Sequence, residues 1–526
     1  MNKSIRNIGR SLMTIAALFS LSFSCTACSD DDEENDNVGG GGSTELSVTI
    51  EPASKTLAFE AAGGSQDVVV ITEPTVTLTP ADSWLTIAAQ TPDGNKQRFT
   101  VTATANTGAA RTSSIAVKAE GFAGTTIAIS QAAPITQEPT ETPDNIVQKL
   151  GMGWNLGNQL DAHNNGVAGE TAWGNPACTQ ATFDALKAAG FRTVRIPVTW
   201  LGKVTSKTSG TTTTYTIDSD YLKRVAEVVG YAEKAGLNAI VNIHHDGANS
   251  SYWLKINATS DTENKAIKER LRQMWTQIAT KFADKGDFLI FETMNEIHDG
   301  GWGWGSNTSD GGTQYKRLNE WQQICVDAIR ATGGKNATDR WIAVQGYCTN
   351  PTLTINNLVL PTDAAGRIIV SVHFYDPNTY TLDAKYPQWG IKATGSKETW
   401  GNEDNVKKIF GQLKTKYVDN GIPVYIGEMA ACHRADRTEE CYRLYWLEYV
   451  CKAAREYQLT PIYWDNGDTG TGAECEGIIH HGNGSWINNG QKVASVMVNA
   501  VENTDAAYTL DAVYAKSDNV LTSYGE

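Results

Sequence analysis

The sequence predicts an α/β protein: a (β/α)8 TIM barrel preceded by a small all-β sandwich. Three observations predict it. After residue 150, eight short apolar runs alternate with amphipathic stretches, the pattern of parallel strands buried on both faces by crossover helices. Between residues 46 and 133, β-branched runs instead follow one another with only Gly, Pro, Asp and Asn turns between them, as in a sandwich. The chain also carries 15 Trp and 19 Tyr, with every Tyr after residue 200, so large flat side chains are concentrated in the C-terminal part. With 526 residues it can hold two or more domains and a large core. That size and composition exclude a peptide hormone, a collagen or a wholly disordered chain. The net charge is -15, partly because six acidic residues fall together between Asp30 and Asp36. No Lys/Arg stripe marks a nucleic-acid partner.

Residues 1–27 read as an export signal. Lys3, Arg6 and Arg10 precede the apolar run Leu12–Phe23, which is too short for an ordinary membrane span, and small residues then lead to Cys25 and Cys28. Cleavage before a cysteine resembles the bacterial lipoprotein pattern. It implies an acylated Cys28, with Cys25 as the alternative, and a protein held by its lipid at the outer membrane or cell surface of a Gram-negative bacterium. A plain signal peptide cut nearby is the other reading. Residues 28–45, acidic and then Gly-rich, form a flexible tether. Seven cysteines follow (Cys178, Cys325, Cys348, Cys432, Cys441, Cys451, Cys475) with no CxxC or zinc-ribbon spacing. They read as small core residues, with one bridge expected among Cys432, Cys441 and Cys475.

Residues 46–133 contain the runs LSVTI, TLAFE, DVVVITE, WLTI, RFTVTAT, SIAVKA and TIAISQ. The WLTI and ISQ runs resemble BACON domains, whose name implies carbohydrate binding. Only Phe59, Trp84, Phe99 and Phe122 are aromatic here. Four aromatics barely fill a sandwich core, so a spacer is favoured over a sugar-binding face. Pro134, Pro139 and Pro143 mark a semi-stiff linker over 134–145.

Residues 146–526 hold the barrel. Its strands are read at 152–157, 193–198, 238–243, 288–294, 341–346, 367–374, 423–428 and 461–466, with helices such as 182–190, 221–236, 265–283 and 319–333 between them. In such a barrel, function sits at the C-terminal strand ends. Strand two carries Arg195, strand three ends in His244, His245 and Asp246, and strand four in Asn295 and Glu296. Strand six ends in His373 and Tyr375, strand seven in Glu428, and strand eight in Trp464, Asp465 and Asn466. One such residue could be a helix cap or a satisfied core group. So many converging on one mouth read as a site.

Carboxylates on strands four and seven face each other across the mouth with room for a pyranose between them. That suits glycosidic cleavage, where one carboxyl donates a proton and the other, ionised, attacks or stabilises the anomeric carbon. Arg195 and Tyr375 are available to keep Glu428 charged, and His373 to handle the proton of Glu296. Asn295-Glu296, His373-x-Tyr375, Ile-Gly-Glu428 and Tyr-Trp464-Asp, with GWNLGN (153–158) and TVRIPVTW (193–200), resemble glycoside hydrolase family 5 over 146–503. The resemblance implies a retaining endo-β-1,4-glucanase with Glu296 as acid/base and Glu428 as nucleophile. It further implies Asn295 as donor to a sugar 2-hydroxyl, Arg195, His244, His373 and Tyr375 as support, and Trp464 as aromatic floor. One departure is that Ile297, not Pro, follows the Asn-Glu pair. His245 either binds substrate or merely neighbours His244.

Trp302 and Trp304, in a Gly-rich loop after Glu296, are candidate sugar platforms, and Trp173, Trp253 and Trp389 are further loop candidates. Trp275, Trp321 and Trp446 fall in helices and read as packing. Many platforms imply an extended cleft and internal cleavage of a β-glucan polymer, whether cellulosic, mixed-linkage or xyloglucan. A β-mannanase and a non-catalytic glycan-binding lipoprotein are the alternatives. No HExxH or other paired ligand spacing supports a metal hydrolase, so no metal or cofactor is expected, and a monomer is the simpler assumption.

Overall fold

A computed structural model of the chain describes residues 46, 48–59, 63–106, 110–131, 143–248, 251–257, 260–300 and 312–525. Cys25, Cys28, Trp302 and Trp304 lie outside the described residues. The chain divides into two compact units between Gln137 and Glu138.

The first unit is a sandwich of two four-stranded sheets. Its strands are β1 (Thr49–Glu51), β2 (Thr56–Phe59), β3 (Gly64–Ile71), β4 (Thr77–Pro80), β5 (Leu85–Ala89), β6 (Lys96–Ala103), β7 (Arg111–Lys118) and β8 (Thr125–Gln131). One sheet has the order β1-β3-β6-β5 and the other β2-β8-β7-β4. Alternate residues such as Val68, Val70, Val101, Ile115, Val117 and Ile127 point inward and make the core. The sequence reading misses β4. It is an edge strand of 4 residues ending in Pro80, and proline, which cannot donate to a ladder, is tolerated at an edge. Of the four aromatics, Phe59 and Phe99 are buried in the core and Trp84 packs against its side under the guanidinium of Arg111.

The second unit is a closed parallel barrel. Its strands are β9 (Gly153–Leu156), β10 (Thr193–Ile196), β11 (Asn238–Asn242), β12 (Leu289–Glu292), β13 (Ile342–Gln345), β14 (Ile368–His373), β15 (Val424–Met429) and β16 (Leu459–Asp465). Each pairs in parallel with the next, and β16 closes the ring against β9. Helix α1 (Pro143–Leu150) supplies Ile146, Val147 and Leu150 to a cluster with Ile240, Ile290, Ile369 and Ile462. The outer helices are α2 (Gln180–Ala188), α3 (Ser219–Ala235), α4 (Asp261–Lys281), α5 (Thr313–Arg330), α6 (Pro351–Asn357), α7 (Glu403–Lys416), α8 (Arg437–Glu456) and α9 (Gly490–Glu502). One follows each strand, which is why every strand reads as apolar on both faces. Their starts are written locally. Asp218 accepts a backbone hydrogen bond at the start of α3, Ser260 and Glu263 form a reciprocal cap on α4, and Asp436 caps α8.

All seven cysteines of the barrel unit are free thiols, so the bridge expected among Cys432, Cys441 and Cys475 is not formed. Most are buried and serve as small apolar packing.

Candidate active site

The barrel brings Arg195, His244, Asn295, Glu296, His373, Tyr375, Glu428 and Trp464 together at the C-terminal ends of its strands. Glu428 lies on β15, and Glu296 follows β12. A carboxylate oxygen of each, together with a ring nitrogen of His373, forms a triad whose atoms all lie within 4.8 Å of one another. His373 Nδ1 is 2.7 Å from Glu296 Oε1 and 3.5 Å from Glu428 Oε2. The backbone of Glu296 adopts φ 36°, a left-handed conformation that costs a non-glycine residue roughly 1–2 kcal/mol. Its N–H donates to Thr349 Oγ1 at 3.0 Å, which holds the turn.

Arg195, wholly buried on β10, organises the floor. Its Nε donates to Glu292 Oε2 at 2.6 Å, Nη1 to Asn155 Oδ1 at 3.0 Å and to Glu428 Oε1 at 2.8 Å, and Nη2 to Asn295 Oδ1 at 2.7 Å. Since Arg195 takes the Asn295 carbonyl, the Asn295 amide NH2 is left as a donor. Tyr375 donates to Glu428 Oε2 at 3.0 Å. Burial beside Glu428 pushes its hydroxyl well above the ordinary tyrosine value, so the proton stays on.

Burial pushes both catalytic candidates up. Against it, His373 pulls Glu296 below the ordinary glutamate value, whereas at Glu428 the pulls of His373 and Arg195 fall short and the carboxyl stays raised. The pull on Glu296 comes from an imidazole, which can release its proton. The pull on Glu428 includes a guanidinium, which cannot. The guanidinium keeps its charge at any pH the fold survives, so Arg195 favours ionised Glu428 throughout. His373 Nδ1 and Glu296 Oε1 stand at hydrogen-bond distance beside the carboxylate of Glu428.

Burial, with His245 and Arg195 adding to it, pushes His244 well below the ordinary histidine value, so the ring is neutral. Its Nδ1 accepts from Asn242 Nδ2 at 3.1 Å, which leaves the proton on Nε2, 3.9 Å from Glu428 Oε1. That gap is too long for a hydrogen bond and leaves the N–H free for a substrate hydroxyl. The indole of Trp464 lies parallel to the His244 ring, 5.8 Å between centroids and 5° between planes. Gly157 makes this possible, since a Cβ there would sit 2.6 Å from the Asp465 carbonyl and 2.9 Å from the Trp464 ring.

His245 stands apart from the carboxylate pair. Its Nε2 is 3.5 Å from Asp161 Oδ2, and its ring packs near His163 and Trp173 on the wall of the mouth. Trp173 is 42% exposed and fits a platform. Trp389 does not: it is buried, with its indole N–H on the Gly401 carbonyl. Trp253 lies under Arg270 and donates to Asp246, so it too is packing. Trp275, Trp321 and Trp446 are buried as their helical positions imply.

Sequence reading missed the layer beneath the site. Glu292 is fully buried, held by Arg195, by Asn242 Nδ2 at 3.1 Å and by Ser371 Oγ at 2.8 Å. The available signal was a polar residue inside five of the eight apolar runs: Asn155, Arg195, Asn242, Glu292 and Ser371. Among the described residues, Asp161/His244/His245 and Glu296/His373/Glu428 have donor atoms close enough to share a cation. In the first, Asp161 accepts from the amides of Asn158 and Gln159, and His244 Nδ1 from Asn242; in the second, Glu428 accepts from Arg195 and Tyr375.

Known proteins match this arrangement. Residues 160–470 fit the family model "Cellulase (glycosyl hydrolase family 5)", and residues 73–132 fit "BACON", described as a putative N-terminal binding domain. The chain is 38% identical over 348 residues to Endoglucanase A of Paenibacillus barcinonensis, covering 62% of this chain and 84% of that one. It is 31% identical over 453 residues to the xyloglucan-specific endo-beta-1,4-glucanase BoGH5A of Bacteroides ovatus, covering 80% and 87%. A solved broad-specificity GH5-4 endoglucanase from Bacteroides salanitronis shares 58% identity at a TM-score of 0.67, over 70% of this chain and 97% of that one. The chain belongs to glycosyl hydrolase family 5, a glycoside hydrolase whose barrel follows a BACON-like domain.

Proposed function

We propose that the protein is a retaining endo-β-1,4-glucanase, with Glu428 as nucleophile and Glu296 as acid/base. The observation that carries this is the approach of the two carboxylates to within 4.8 Å around one imidazole. An inverting enzyme needs about 6.5–9.5 Å between them to seat a water, whereas retention needs about 5–5.5 Å. In the first step Glu428 attacks the anomeric carbon while Glu296 passes its proton to the departing glycosidic oxygen. In the second, Glu296 takes a proton from water, which displaces Glu428 from the sugar. Asn295 has an amide donor for the 2-hydroxyl, and Trp464 a flat face for the ring above it.

Supporting a β-1,4-glucan are the two named relatives and the solved structure, whose names all specify endoglucanase or xyloglucan-specific endoglucanase activity. An activated 2-fluoro cellobioside should label Glu428 alone, as read by peptide mass. NMR of early hydrolysis should show the β-anomer first, and an α-anomer would replace retention with inversion. Product profiles on mixed-linkage glucan, xyloglucan and mannan decide the preferred chain. We propose also that the protein is lipid-anchored at Cys28. Labelled palmitate should enter the parent and be lost in Cys28→Ala, and persistence of label would move the anchor to Cys25.

A further inference from the structure

A groove of about 680 Å³ runs between α2 and α9 on the outer wall of the barrel, within the size range of ligand sites. Ala185 and Val498 contribute to its floor. Gln491, Ser495 and Asn499 stand along one side at four-residue intervals on α9, all exposed. They present neutral amides and a hydroxyl over about 12 Å of helix, longer than one sugar ring. Trp486, in the hairpin that precedes α9, adds an indole to the lining.

Trp486 differs from the structural tryptophans. Trp154, Trp200, Trp275, Trp321, Trp389 and Trp446 are buried, and each indole N–H has an acceptor. Trp486 is half-buried, and among the described residues its indole N–H has no partner. In both respects it matches Trp464 at the barrel mouth. The groove's one acid, Glu502, is neutralised by Arg192 at 2.6 Å. On a chain of net charge -15, this is a neutral strip of hydrogen-bonding groups beside an indole face. Such a lining suits an uncharged polysaccharide and offers nothing to an ion.

We infer that this groove is a second binding site for a β-glucan chain, separate from the barrel mouth. The inference takes its ligand from the proposed function. A polymer held at two places on one molecule stays bound longer than either site alone would hold it. The test titrates cellohexaose into the full-length chain carrying Glu428→Gln, by calorimetry. Two sites per chain are expected, falling to one when Trp486→Ala or Ser495→Arg is added, with the affinity of the remaining site unchanged. Ser495 is exposed on α9, so its replacement fills the groove without touching the core, should Trp486→Ala fail to fold. A single site in the Glu428→Gln chain, or two sites surviving Ser495→Arg, overturns the groove and leaves the proposed function standing. No binding of any kind counts against both.

Discussion

Arg195 donates to Glu428 and Glu292 at once, at 2.8 and 2.6 Å, so one buried guanidinium joins the nucleophile candidate to a carboxylate that never meets solvent. Replacing Arg195 by Met should lower kcat by about 10²–10³ through loss of a preorganised donor. It should also cost about 3–5 kcal/mol of stability, because Glu292 is left buried without its cation. Adding Glu292→Gln should restore much of the stability and none of the activity. Denaturant melts and steady-state kinetics on the three variants separate the two effects, and parallel recovery of both would remove Arg195 from the chemistry.

Tyr375→Phe removes one donor to Glu428 and keeps the ring. A hydrogen bond to a charged group contributes about 1.5–3 kcal/mol, so kcat should fall about 10- to 100-fold. Without that donor the ionised form of Glu428 is less favoured, and the acidic limb of the kcat/KM profile should move to higher pH. A pH profile that does not move would place Tyr375 in substrate binding alone.

His433 predicts an acid limit to stability. Its Nδ1 accepts from Arg443 Nη1 at 2.9 Å and its Nε2 donates to the Gly477 carbonyl at 2.7 Å. A second ring proton would point at a guanidinium. Burial and Arg443 accordingly pull His433 down to about 4 from an ordinary value of 6.5. Between pH 6.5 and 4 the unfolded chain binds a proton there that the folded chain does not, so stability falls as pH drops through that window, by up to about 3 kcal/mol. Below it the loss is complete. In His433→Asn the drop in Tm from pH 7 to 4.5 should be visibly smaller than in the parent.

Exhaustive chelation should leave hydrolysis of barley β-glucan unchanged, because Glu428 is already held by Arg195 and Tyr375 and the cleavage needs only two carboxyls. Loss of activity that a divalent cation restores would reopen metal chemistry at Asp161, His244 and His245.

Gly157→Ala should cost about 1–3 kcal/mol by overpacking, since the new methyl meets the Trp464 ring and the Asp465 carbonyl. Tilting the indole should raise KM more than it lowers kcat. An unchanged KM would mean that Trp464 does not carry the sugar.

Much of this was legible in the chain. Strands buried on both faces must read as apolar runs, and the residues that end such a run must sit at the mouth, so Glu296, His373 and Glu428 could be placed by counting. The supporting layer was not legible. Glu292 and Ser371 lie inside apolar runs, where one polar residue looks like noise until its partner on another strand is known. Trp253 and Trp389 misled because a tryptophan in a loop is written the same way whether it faces solvent or pins the loop down. The edge strand β4 was lost to its brevity and its proline.

The closed ring has a consequence for how such an enzyme diversifies. With every strand hydrogen-bonded on both sides, Glu428 rides on a frame with no free margin to slip, and Glu296 stands just past its rim. The connecting segments above them bear no such duty. Preference for one glucan or another can therefore be rewritten in those segments while the strand that carries Glu428 stays untouched.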